Sequence, residues 1–374
     1  MGIERVLAQT ALAWTLAAVG PGAAASGWPA WDVFTQRFVQ SDGRVIDLTF
    51  DRKSTSEGQS YGLFFALVAN DRARFDTLLA WTGDNLAGGR LGDTLPAWLW
   101  GLRPDGSWGV KDRNSASDAD LWLAYTLLEA ARLWNAPPYA QTGRRLLEQV
   151  RLHEVATAGA AGPVLLPGAV GFVLDKGRHR INPSYLPGFL FRYLAVTDPQ
   201  GPWQSIWDGY LRMAPQVFSA GVAPDNLVID AAGSVLPDTE AAPSASYDGI
   251  RVYLWAGMSG PGSAGLVRLL APYAALTRAT GVPPEKVDPR SGRALKSDYS
   301  PVGFSGALLP FLSALGDAPG LAVQTERVQA SLRLGASGAT THYYDQALIL
   351  FGKGWLDGRY RFDEQGRLQP AWAH

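Results

Sequence analysis

The chain has 374 residues, a net charge of −1, and 47% hydrophobic against 18% charged residues, a balance that belongs to globular proteins with ample core. Acidic and basic residues are mixed along it without a basic patch, which argues against a nucleic-acid partner. It has no cysteine, and its four histidines (His153, His179, His342 and His374) show no metal-ligand spacing, so no disulfide, cofactor or catalytic metal is expected.

The N-terminus reads Met1-Gly2-Ile3-Glu4-Arg5, an apolar run from Val6 to Val19, and then Gly20-Pro21-Gly22-Ala23-Ala24-Ala25. A weakly basic start, a short apolar stretch and an Ala-x-Ala ending mark a secretory signal over residues 1–25. The run is too short and too interrupted for a membrane span. The expectation is therefore an exported, periplasmic or secreted protein whose residues 26–374 form a single domain. From Trp28 onward, apolar helical stretches alternate with Gly/Pro/Asp/Asn-rich connections and no low-complexity linker intervenes. The pattern predicts helices over roughly 31–39, 56–70, 71–85, 119–134, 138–150, 186–196, 203–218, 247–258, 262–279, 303–315, 322–334 and 344–353, arranged as successive pairs. Strand signals, such as 164–166 and 227–230, are short and scattered. The helices behind Glu57, Asp120 and Asp248 are apolar on nearly every face, whereas a partner such as 138–150, with Arg144, Arg145, Glu148 and Gln149, is amphipathic. Buried helices alternating with half-exposed ones imply an all-α double ring, with the inner helices opening their acidic ends onto one mouth.

Three segments share that design: Ser54-Thr55-Ser56-Glu57-Gly58-Gln59-Ser60-Tyr61-Gly62, Ser117-Asp118-Ala119-Asp120 and Ser246-Tyr247-Asp248-Gly249. In each, an acid opens a hydrophobic helix. Each acid also has a plain structural reading. Ser54 and Glu57 have the spacing of a capping box, Asp118 or Asp120 can cap a helix, and Asp248 can form a surface ion pair with Arg251. As a set they suit glycosidic cleavage, in which one carboxylic acid protonates the leaving oxygen and a second carboxylate activates water or attacks directly. A helix N-terminus lowers the pKa of Glu57, so apolar walls and a neighbouring carboxylate, with Asp118 the candidate, must raise it by more. Arg251, one helical turn after Asp248, favours the ionised form that a base needs.

Fourteen tryptophans suggest a surplus that lines a cleft, although the core can absorb more than half of them; a sugar ring presents a flat apolar face edged by polar groups, which indole and phenol rings match. Ala97-Trp98-Leu99-Trp100-Gly101, Trp108 and Trp122 lie near the second acid in sequence, and Asn182-Pro183-Ser184-Tyr185-Leu186-Pro187 sets an aromatic hydroxyl at another helix mouth. Tyr247 and Tyr253 flank the third acid, and Tyr343-Tyr344 opens the last helix. Core packing competes for every one of these rings and is the expected fate of Trp134 and Trp255.

Taken together, Ser56-Glu57-Gly58-Gln59-Ser60-Tyr61-Gly62, Ala116-Ser117-Asp118-Ala119-Asp120 and Ser246-Tyr247-Asp248-Gly249-Ile250-Arg251 resemble the hallmark segments of glycoside hydrolase family 8. Leu95-Pro96-Ala97-Trp98-Leu99-Trp100-Gly101, Asn182-Pro183-Ser184-Tyr185-Leu186-Pro187 and Pro283-Pro284-Glu285-Lys286-Val287-Asp288 are similar to its periplasmic members encoded with bacterial cellulose synthase. The likeness runs from about Trp28 to Trp372. It implies an (α/α)6 barrel of six inner and six outer helices and an endo-1,4-β-glucanase acting with inversion on a β-1,4-glucan. By the same resemblance Glu57 is the general acid, Asp248 the general base, and Asp118 a sugar-binding carboxylate at the cleavage point. Tyr185 would help to place the water, and Trp98, Trp100 and Arg251 would contact substrate. A functional link to a cellulose synthase complex is likewise implied. Gly249 departs from the alanine usual in close relatives, which would loosen the first turn behind Asp248 by up to about 1 kcal/mol. Two rivals stand beside this reading. One is a non-catalytic glucan-binding accessory of cellulose export, and the other a chitosanase or xylan-active member of the family.

Overall fold

The computed structural model describes residues 27–238, 244–336 and 342–373. The predicted signal segment, residues 1–25, lies outside them. Twelve α-helices occur among the described residues: α1 (Pro29–Phe38), α2 (Ser56–Val68), α3 (Arg72–Leu86), α4 (Ser117–Leu133), α5 (Pro137–His153), α6 (Gly188–Thr197), α7 (Trp203–Val217), α8 (Gly249–Met258), α9 (Ala264–Thr280), α10 (Val302–Leu315), α11 (Ala318–Ala336) and α12 (Tyr343–Leu356). Each matches a helix expected from the sequence, with ends displaced by a few residues. None is long and apolar enough to cross a membrane among the described residues.

Helices of two kinds alternate, for the reason their patterns suggest. In α2 every residue from Gly58 to Val68 is buried, so the helix must be covered on all sides. In α5 the buried positions are Gly143, Leu146, Leu147 and Val150, one helical stripe, while Arg144, Arg145 and Glu148 face water. The even-numbered helices form the inner ring and the odd-numbered ones back it, giving an (α/α)6 barrel. Ring-to-ring contacts carry the inner circle round. Trp122 of α4 meets Phe64 of α2 at 4.9 Å and Phe189 of α6 at 5.8 Å between centroids. Phe189 meets Trp255 of α8 at 6.2 Å, and Tyr253 of α8 meets Phe311 of α10 at 5.2 Å. Phe351 of α12 meets Phe65 of α2 at 4.6 Å, which closes the circle. Between α10 and α12 glycines replace rings: a Cβ on Gly352 would lie 1.8 Å from the Gly306 carbonyl oxygen, so the two helices touch backbone to backbone.

Seven of the fourteen tryptophans (Trp28, Trp31, Trp81, Trp122, Trp203, Trp207 and Trp255) are buried in this aromatic interior. Trp134 instead ends α4 half-buried, its indole N–H donating to Asn70 Oδ1 at 2.8 Å. Short antiparallel sheets occupy the connections. One pairs Ser54–Thr55 with Leu99–Leu102 and then with Trp108–Asp112, and it leads directly into α2. Another joins Val173–Leu174, Arg178–Ile181, Leu227–Ile229 and Val235–Pro237. The inner helices start at the same end of the barrel, and there a cleft of about 590 Å³ opens.

Candidate active site

The capping box that the spacing of Ser54 and Glu57 allows does not form. Ser54 is a strand residue, buried, its hydroxyl donating to the Val45 carbonyl at 2.5 Å and accepting from Arg44 at 2.8 Å. Thr55 is the cap of α2, accepting from the Gly58 N–H at 3.1 Å. The Ser56 N–H donates to the Trp98 carbonyl at 3.0 Å, which fastens the helix start to the sheet. Gln59 accepts from the Val45 N–H at 2.6 Å and donates to the Gly43 carbonyl at 3.1 Å and the Thr82 hydroxyl at 3.0 Å. Its neighbours thus satisfy the helix end, and Glu57 turns its carboxyl into the cleft.

Asp248 is freed in a comparable way. It precedes the first turn of α8 without capping it. That task falls to Asp225, whose Oδ1 accepts from the Ser246 N–H and the Gly249 N–H, both at 2.8 Å. Nothing in the sequence pointed to Asp225, because it lies in a loop more than twenty residues before the helix that it caps. Gly249 also has a role that the expected loosening of the turn did not include. A Cβ there would stand 2.1 Å from the Ala223 carbonyl oxygen, so in this chain the glycine admits the backbone that carries Asp225.

Arg251 gathers the three segments. Its Nη1 donates to Asp118 Oδ2 at 2.7 Å and to the Tyr61 hydroxyl at 2.9 Å, and its Nη2 donates to Asp248 Oδ1 at 2.5 Å. Its guanidinium carbon lies 5.4 Å from the Tyr185 ring centre. Only 5% of Arg251 is exposed, and its Nε finds no acceptor among the described residues. Asp118 is equally buried, with Oδ1 accepting from the Ala119 N–H at 2.8 Å, whereas the Asp248 side chain is 38% exposed. One carboxylate is thus largely buried on Arg251, and the other meets water.

Burial first, then the charge of Asp118, pushes the Glu57 carboxyl up from 4.5 to about 7. Its own helix backbone and Arg251 pull the other way and lose, with Asp248 adding a smaller upward push. Asp118 is itself raised by burial, against the opposing charge and hydrogen bond of Arg251. The Tyr185 phenol is raised far above its usual range by burial and then by Asp118, Asp248 and Glu57, so it stays a neutral hydroxyl among the three carboxyls.

Of the predicted contacts, Trp98, Arg251, Glu57 and Asp248 line the cleft. Trp100 sits beside it in a stack: its ring lies 5.4 Å from Trp108 and 5.4 Å from Trp81, with the Arg44 guanidinium 4.3 Å away. The structure adds Phe50 and Lys53, which were not singled out, and draws in Tyr247 and Tyr344 from the rings noted beside the helix mouths. Phe50 and Lys53 come from the loop before α2, and Tyr247 and Tyr344 form a pair in which the Tyr344 hydroxyl donates to the Tyr247 carbonyl at 2.6 Å.

Residues 4–358 match the sequence model of the glycosyl hydrolases family 8. The chain belongs to that family. It is 48% identical over 349 residues to an endoglucanase of Xanthomonas axonopodis pv. citri (strain 306), covering 92% of this chain and 89% of the relative. An endoglucanase of Escherichia coli (strain K12) is 43% identical over 354 residues, 94% of this chain and 93% of its own. Among solved structures, an endo-1,4-D-glucanase from Vibrio fischeri ES114 superposes with a TM-score of 0.87 at 39% identity, over 93% of this chain and 100% of that one.

Proposed function

We propose that the chain is an endo-1,4-β-glucanase that cleaves internal β-1,4-glucosidic bonds with inversion, Glu57 serving as general acid and Asp248 as general base. The observation that carries this reading is the division of labour between the two carboxyls. Glu57 keeps its proton to about 7, while Asp248, half open to solvent, is ion-paired to Arg251. In the proposed reaction Glu57 gives its proton to the glycosidic oxygen as the C1–O bond breaks. Asp248 takes a proton from water, whose oxygen attacks C1 from the opposite face, so no covalent sugar–enzyme bond forms. The proton on Asp248 returns through solvent to Glu57 and resets the site. Asp118, fixed by Arg251, accepts hydroxyl hydrogen bonds from the sugar at the cleavage point, and the neutral Tyr185 hydroxyl orients the water. Trp98 offers a ring to the glucan inside the cleft, and Trp100, with Trp108, meets a chain that continues past it.

The names of the relatives support the same substrate class. By the same reading, residues 26–374 act as one catalytic domain after export to the periplasm or medium, in the service of bacterial cellulose synthesis. The deciding experiment measures reducing ends released from carboxymethylcellulose by the chain and by Glu57→Gln, and follows the first-formed anomer by NMR. An active parent, an inactive variant and an α-anomer product are expected. Absence of turnover, or a β-anomer appearing first, overturns the assignment.

A further inference from the structure

Behind Asp118 lies a second pair of carboxyls that the reaction does not use. Asp120 is in the first turn of α4 and Glu154 follows the last turn of α5, and neither is exposed to solvent. Glu154 Oε1 accepts from the Ser115 hydroxyl at 2.6 Å, and that hydroxyl oxygen accepts from the Ala169 N–H at 3.0 Å. The other three oxygens, both of Asp120 and Oε2 of Glu154, find no N–H or hydroxyl donor among the described residues. The two side chains are within hydrogen-bond reach of each other. A carboxylate has no proton to donate, so that contact is a hydrogen bond only if one member is an acid. The largest charge effects on Asp120 come from Glu154 at the end of α5, Asp118 on its own helix and Glu57 from α2, all of them acids. The Arg251 guanidinium is already divided between Asp118 and Asp248. Two bare anions in this setting would each carry the full cost of desolvation without a cation to offset it.

We infer that Asp120 and Glu154 are positioning residues that share one buried proton, Asp120 being the neutral acid that donates it to the Glu154 carboxylate. The hydrogen bond ties the first turn of α4, and with it Asp118, to the end of α5 and the Ser115 loop. It also limits the charge behind Asp118 to one unit. Burial raises both groups, and the hydrogen bond between them raises Asp120 further while it and the Ser115 hydroxyl pull Glu154 back toward its anion, which agrees with a proton resting on Asp120. The effect on catalysis rests on the roles proposed above for Glu57 and Asp118. The proton itself does not.

Infrared spectroscopy of the whole chain tests the proton directly. In the Glu57→Gln background near pH 8 a protonated-carboxyl C=O band is expected, and adding Asp120→Asn should remove it. Absence of the band in Glu57→Gln, or its survival in the double variant, overturns the inference whether or not the protein turns out to be a glucanase. Should the double variant fail to fold, the band in Glu57→Gln and its shift in Glu57→Gln/Glu154→Gln decide instead. For the effect on catalysis, Asp120→Ala is expected to lower kcat by about tenfold, the worth of one buried hydrogen bond. Asp120→Asn, still a neutral donor, should rescue it without moving the alkaline limb of the pH profile. A dianionic pair predicts the opposite: Asp120→Asn would remove a charge and shift that limb to lower pH.

Discussion

Glu57→Gln is expected to trade activity for stability, and the size of the exchange follows from the position of the carboxyl. Burial and Asp118 hold Glu57 at about 7 against an ordinary value of 4.5. Between those two values the folded chain keeps a proton that the unfolded chain has released, so stability falls as pH rises through the interval. The loss is complete above the folded value and amounts to about 3 kcal/mol. Glutamine keeps the shape and does not titrate, so the variant escapes that loss. Its advantage should be near zero at about pH 4 and should open to about 3 kcal/mol by about pH 8, or roughly 4 °C in Tm for a domain of this size. Over the same range kcat should drop by about 10²- to 10⁴-fold, the usual contribution of a general acid. Thermal unfolding of both proteins across that pH series, alongside reducing-end assays, measures the two effects. A stability gap that does not change with pH, or a variant within tenfold of parental kcat, refutes the reasoning.

Because the acid must be protonated to act, kcat/KM should decline as pH rises through about 7, the limb that belongs to Glu57 in the free enzyme; an alkaline limb more than a unit and a half away would mean that another group supplies the proton. Asp248→Asn should abolish turnover yet bind cello-oligosaccharides nearly as well as the parent by calorimetry, since Asp248 is assigned to water rather than to sugar; a large loss of affinity would recast it as a binding residue. Gly249→Ala should destabilise the fold by about 1–3 kcal/mol despite the better helix propensity of alanine, because its Cβ meets the Ala223 carbonyl oxygen at 2.1 Å. The same variant should lower kcat by up to about 10²-fold through displacement of Asp248, and a gain in Tm would show that the close approach is not real.

The helical double ring was legible because α2 and α4 have no polar face while α5 and its like have one, and that contrast is written in side-chain type alone. The acids at the helix mouths were legible for the same reason: a carboxyl that opens an apolar segment stands out. What local spacing misjudged was which neighbour satisfies which backbone group. Ser54 and Glu57 have the right separation for a capping box, yet the strand pairing Ser54↔Trp100 takes the serine away and leaves the cap to Thr55. Asp225 was invisible because its partners, the Ser246 and Gly249 N–H groups, are brought to it by the fold and not by a motif. Glu154 was invisible for the same reason. In sequence it reads as a polar helix end, and only the return of the chain at Leu166, whose N–H donates to the Glu154 carbonyl at 2.8 Å, encloses it.

An acid at a helix N-terminus is a poor proton donor if the helix decides its pKa, and here the helix does not. The peptide dipoles and the Arg251 charge both favour the Glu57 anion, but they are weaker than the loss of water around the carboxyl and the nearness of Asp118. Arg251 cannot redress the balance because its two Nη groups are already engaged by Asp118, Asp248 and Tyr61. The same cation therefore acts unequally on two carboxyls at the mouth of one cleft. It makes a direct ion pair with Asp248, and its field at Glu57 is outweighed by burial. A change that frees one of its Nη groups should strengthen its pull on Glu57, lower that carboxyl from about 7 and move the alkaline limb of kcat/KM to lower pH; a limb that stays in place would show that the sharing of the guanidinium does not matter to Glu57.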